Sequence, residues 1–177
     1  MNQSPYRRGA DDGFLLGIYF TAMFFASIYS SVFPVLSFAA LLLMAGVPVA
    51  AWIMMRRYQR SEQWEATFPM LWMQGVMMFM CGMLIAGAAL LVYMKWVEPD
   101  FISDQLKALA ALAGSAPGTF VDRAAEMAEM MLEARFIPTP TDIVVELLLL
   151  AVVSGSFLSM FFAGIMVALR RGGHRRP

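Results

Sequence analysis

FPMLWMQGVMMFMCGMLIAGAALLVYM, residues 68–94, decides the fold. It contains no charged side chain and exceeds the roughly 20 residues a helix needs to cross a bilayer. Three more runs of this kind flank it: Gly13–Phe33, Val35–Met55 and Ile143–Leu169. Their interiors hold no Lys, Arg or Asp, and the one carboxylate among them is Glu146. The first two runs are nearly continuous and together far too long for one crossing. Ser30, Ser31 and Pro34 supply the break, because proline lacks an N–H and disfavours helix in the residue before it. Pro48, inside the second run, is expected to kink that helix without ending it.

Composition agrees. Sixty per cent of the 177 residues are hydrophobic and 15% are charged, against roughly 45–50% and about 25% in soluble domains. A soluble domain this apolar would have no surface to offer water. The fold class predicted is therefore all-α, a four-helix transmembrane bundle forming a single integral membrane domain over residues 1–177. The first run is longer than the core of a signal peptide, and Asp11 and Asp12 interrupt its basic flank, so it is expected to be retained.

Orientation follows from Lys and Arg near the span ends. Arg7, Arg8, Arg56, Arg57, Arg60, Arg170, Arg171, Arg175 and Arg176 fall on one side of a four-span topology. Lys95, Lys107, Arg123 and Arg135 lie on the other, scattered among acidic residues. Both termini are thus expected in the cytoplasm.

Residues 96–141 are the one stretch of soluble character, predicted to form an extracytoplasmic amphipathic helical hairpin between spans three and four. Glu98-Pro99-Asp100 stops the third span, and Phe101–Ala113 reads as a short two-faced helix. A turn at Gly114-Ser115-Ala116-Pro117-Gly118 follows, then a second helix capped by Thr119 with Asp122 three residues on. Asp122, Glu126, Glu129 and Glu133 recur at steps of four, three and four and form one acidic stripe, a solvated face, a surface for a basic partner or a weak divalent-cation site. Pro138-Thr139-Pro140 ends the insert, with Thr139 placed to cap the fourth span.

This order of features, with Trp96-Val97-Glu98-Pro99-Asp100-Phe101 closing the third span and Gly155-Ser156-Phe157-Leu158-Ser159 in the last, resembles the domain-of-unknown-function 4199 family. That family more often carries asparagine where this chain has Glu98. The resemblance covers essentially the whole chain and implies a bacterial inner membrane and an unassigned activity. No catalytic motif comes with it.

Few residues could carry chemistry. Cys81 and His174 are each the single residue of their type, which excludes a cysteine zinc site, an intramolecular disulfide and a histidine cluster. There is no phosphate-binding Gly-Lys loop, zinc-protease motif or nucleophile elbow. Net charge is zero, so no global field recruits nucleic acid. Seventeen methionines suggest Cu(I) chemistry, but those of span three surround the helix and read as adaptable packing. No cofactor and no metal are expected.

Glu146 is the candidate intramembrane functional residue, since an ionisable group inside a span is costly. One turn from the span end it can instead reach water or pair with Lys95 or Arg135. Small residues form candidate packing seams: Gly75, Gly82, Ala86 and Ala89 on span three; Gly13, Gly17, Ser27 and Ser31 on span one; Gly155, Ser156, Ser159 and Ala163 on span four. They serve packing within the bundle or self-association. The function expected is that of a non-enzymatic multi-pass protein whose hairpin meets a partner or packs on its own bundle. The alternative is a small oligomeric transport or channel component using Glu146. The partners are the bilayer and either a second copy or another membrane protein.

Overall fold

Ser4 starts the first helix. Its backbone is extended, its hydroxyl accepts the Arg7 N–H at 3.3 Å, and Pro5 follows at a position whose N–H would have had no partner. In the computed structural model, which describes residues 4–31, 33–61, 66–114 and 118–173, α1 runs Pro5–Ile28 and closes in a 3-10 turn, Tyr29–Ser31. The span expected to begin at Gly13 is therefore helical from Pro5, and Asp11 and Asp12 lie within the helix. The Ser4 cap and an Arg8–Asp12 pair one turn apart support that extra length.

The break before Pro34 is present, and α2 (Pro34–Ser61) runs through Pro48. Helix α3 (Phe68–Val92) continues into a π turn, Tyr93–Val97. Then come α4 (Phe101–Ala110), α5 (Phe120–Glu133) and α6 (Pro140–Gly173). All regular structure among the described residues is helical. Helices α1, α2, α3 and α6 are long and apolar enough to cross a membrane. The central turn residues Ser115, Ala116 and Pro117, and His174, Arg175 and Arg176 of the basic tail, lie outside the described residues.

The chain divides into two compact units. The first, Met1–Ala89 with Leu147–Pro177, is a helical bundle centred on Leu16, Met55, Tyr58, Leu71, Met78 and Met166. Trp52 meets Phe162 edge-on at 5.2 Å. Its polarity is inverted relative to a water-soluble protein. Asp12, Gln59, Gln74 and Ser159 are buried, while Leu41, Leu150, Phe157, Phe161 and Leu169 are all more than half exposed.

The second unit is Leu90–Glu146. Tyr93 donates its hydroxyl to the Glu98 carboxylate and stacks edge-on with Phe101 at 5.7 Å. Helices α4 and α5 pack on each other, burying Ile102, Ala125 and Ala128. Helix α5 ends in a Schellman turn: Phe136 N–H reaches the Met131 carbonyl at 2.9 Å and Arg135 N–H that of Leu132 at 3.1 Å. Arg135 takes the left-handed position, φ 52°, that glycine usually fills.

Candidate functional site

Glycines at every fourth position bring α1 onto α3. A Cβ at Gly9 would lie 2.7 Å from the Met77 Cβ and 2.8 Å from the Gln74 carbonyl oxygen. At Gly13 it would meet the Cys81 Cβ at 2.7 Å, and at Gly17 the Ile85 Cβ at 2.8 Å. From α3, Gly82 faces the Gly13 carbonyl and the Gly17 nitrogen. Only a missing side chain permits this approach, as in small-residue seams of membrane helices.

The approach places a polar cluster between the two helices. Gln74 donates Nε2–H to Asp12 Oδ2 at 2.9 Å, and Arg8 Nε lies 3.4 Å from the same oxygen. Asp12 is 3% exposed and Gln74 fully buried. The Arg57 guanidinium of α2 adds an attractive field at the carboxylate. A buried carboxylate is tolerated when it is paired and hydrogen-bonded, and this one is both. The Gln74 Oε1 acceptor is buried with no hydrogen-bond partner among the described residues.

Other interior polar groups tie helices together. Gln59 donates to the Met166 carbonyl at 3.4 Å, linking α2 to α6, and Tyr19 donates to the Leu43 carbonyl at 2.6 Å, linking α1 to α2. Arg170 reaches the Ala66 carbonyl at 3.4 Å. A groove of about 420 Å³ on α3 and α6 is lined by Trp72, Met73, Val76, Val152, Val153, Ser156 and Phe157, none of them titratable. Its one polar feature is Trp72 donating to Ser156 Oγ at 3.2 Å. Among the described residues no group of three or more His, Cys, Asp or Glu could hold a metal.

The residues singled out from the sequence are distributed as follows. Gly75 abuts Ser159, whose hydroxyl is buried, so this pair joins α3 to α6. Gly155 accommodates the Phe79 ring, Gly82 faces α1, and Ala86 is buried. Ser27 is exposed, and the Ser31 side chain lies outside the described residues. Glu146 is exposed and makes no ion pair or hydrogen bond among the described residues, with Lys95 and Arg135 or otherwise. Glu126, Glu129 and Glu133 are exposed. Asp122 departs from that stripe: it is buried, and its oxygens accept the N–H groups of Gly114 at 2.8 Å and Gly118 at 3.0 Å. Both glycines have positive φ, 76° and 79°, a region glycine enters without steric cost.

Sequence alone does not mark Arg8, Gly9, Asp12 and Gln74 as a site. Their signals were an Arg–Asp pair four apart, glycines at 9, 13 and 17, and a lone amide inside the third apolar run.

A family model described as a protein of unknown function, DUF4199, matches residues 12–168. No curated protein and no solved structure matches the chain.

Proposed function

The chain belongs to the DUF4199 family, and from that premise we propose a non-enzymatic, multi-pass protein of the bacterial inner membrane with a structural or interaction role. One observation carries the membrane part. The bundle puts Asp12, Gln59, Gln74 and Ser159 inside and large apolar side chains outside, an arrangement suited to lipid and hostile to water. The non-enzymatic part is supported by how the interior charge is used. Asp12 is satisfied by groups of its own chain, which makes it a lock between α1 and α3.

The proposed topology puts both termini in the cytoplasm and the α4–α5 hairpin outside. There Glu126, Glu129 and Glu133 present an acidic row to a partner with a basic surface. Co-purification in mild detergent tests this reading. A defined heteromeric partner, lost when the three glutamates are changed to lysine, is the expected result. A homo-oligomer that passes ions in liposomes and recruits no partner would replace it with a channel.

A further inference from the structure

Helix α5 has an apolar face that its own unit does not cover. Phe120 is 86% exposed, Met130 60% and Met127 57%, whereas the face turned toward α4 buries the small Ala125 and Ala128. At about 100° per residue, Phe120 and Met127 share a direction nearly opposite to Glu129, with Glu126 and Glu133 about 100–140° away, and the exposed Arg123 and Met130 lie on the arc between Met127 and Glu126. Both ends of the unit continue the pattern. Trp96 and Val97, in the π turn that ends α3, are exposed, and so are Phe136 and Ile137, just ahead of α6.

We infer that this face lies in the interfacial layer of the bilayer, on the side where α3 and α6 emerge, with lipid as its occupant. The inference rests on reading α3 and α6 as membrane spans. Continuity with those spans names the occupant. Three residues, Glu98–Asp100, separate the π turn from α4, and six, Ala134–Thr139, separate α5 from α6. Even fully extended, six residues reach only about 20 Å, so the end of α5 stays within that distance of the start of α6. The exposed aromatic residues Trp96 and Phe136 sit at the junctions, the level at which aromatic rings anchor in the headgroup region. The polar face is acidic where a free-standing interfacial helix is usually basic. Anionic headgroups therefore do not recruit it. The two short connections do, by raising its effective concentration at the bilayer.

Nitroxide labels on the full chain test this in phosphatidylcholine vesicles, in a Cys81→Ser background. Labels replace Met127, Met130 or Glu129, with Leu84 and Phe157 as references within the spans. Accessibility to oxygen, which partitions into lipid, is compared with accessibility to a water-soluble nickel chelate. The oxygen-to-nickel ratio should be several-fold higher at Met127 and Met130 than at Glu129, in variants that remain monodisperse. Met130 provides a second site should Met127 not tolerate the label. Nickel access at Met127 and Met130 equal to that at Glu129 overturns the inference, with the spans left standing if Leu84 and Phe157 read as lipid. Low access to both reagents also overturns it, because the face is then covered by protein. Span labels open to nickel would remove the membrane reading and the inference together.

Discussion

Asp12 has a cation and an amide donor within reach because α1 places Arg8 one turn before it and α3 supplies Gln74. Removing one member of such a buried set leaves the others desolvated and unpaired, which costs about 3–5 kcal/mol. Asp12→Leu should therefore lower the melting temperature in detergent sharply, while Asp12→Asn, still an acceptor for Gln74, should lose less. The double change Arg8→Met with Asp12→Leu should recover most of the stability, since a packed apolar pair often replaces a buried ion pair without loss. If Asp12→Leu melts like the unaltered protein, the cluster is no lock. Glu146 is the contrasting carboxylate, exposed and unpaired among the described residues. Glu146→Gln and Glu146→Leu should both keep a normal detergent profile and the cellular role. Loss of phenotype in a well-folded Glu146→Gln would make the transport reading the favourite.

Between helices, the seam's tolerance depends on what a new methyl group meets. At Gly13 it would meet the Met78 carbonyl oxygen at 2.9 Å, and backbone cannot swing aside. At Gly82 the nearest atoms are 3.3–3.4 Å away. Gly13→Ala should thus destabilise by about 1–3 kcal/mol, the usual range for overpacking. Gly82→Ala should cost less, Gly82→Leu should disrupt assembly, and Met80→Leu should be nearly silent. Chromatography and thermal melts in detergent compare the four, and equal behaviour of Gly13→Ala and Met80→Leu would remove the seam. The apolar runs and Pro34 made the long helices legible in sequence, because length and hydropathy are local properties. Asp12 was not legible as a buried group. Beside Arg7 and Arg8 it read as flank, and its partner Gln74 comes from another helix, 62 positions on. Asp122 misled for the opposite reason: its spacing fits the acidic stripe, yet the N–H groups of Gly114 and Gly118 take up its carboxylate. Periodicity reports where a side chain starts, not which orphan N–H it reaches.

For the whole molecule, the testable question is which side of the membrane each connection occupies. Arginines gather at the start of α1, the end of α2 and the end of α6, with Arg7, Arg56, Arg57 and Arg60 among them, while the segment from Lys95 to Arg135 carries an excess of acid. Clustered Lys and Arg close to span ends stay cytoplasmic, and acidic residues weigh little. With four crossings, the proposed topology would put the α1 start and the α2–α3 connection on the inner side and α4 and α5 on the outer. In a Cys81→Ser background, Ser4→Cys and Ser61→Cys should resist a membrane-impermeant thiol reagent in intact spheroplasts and react once the membrane is opened. Lys107→Cys, exposed on α4, should react in both conditions. All three positions are exposed, so a difference in labelling reports sidedness and not burial. Reaction of both Ser4→Cys and Lys107→Cys in intact spheroplasts would leave α1, α2 and α3 unable to cross an odd number of times between them, and the four-span topology would fall.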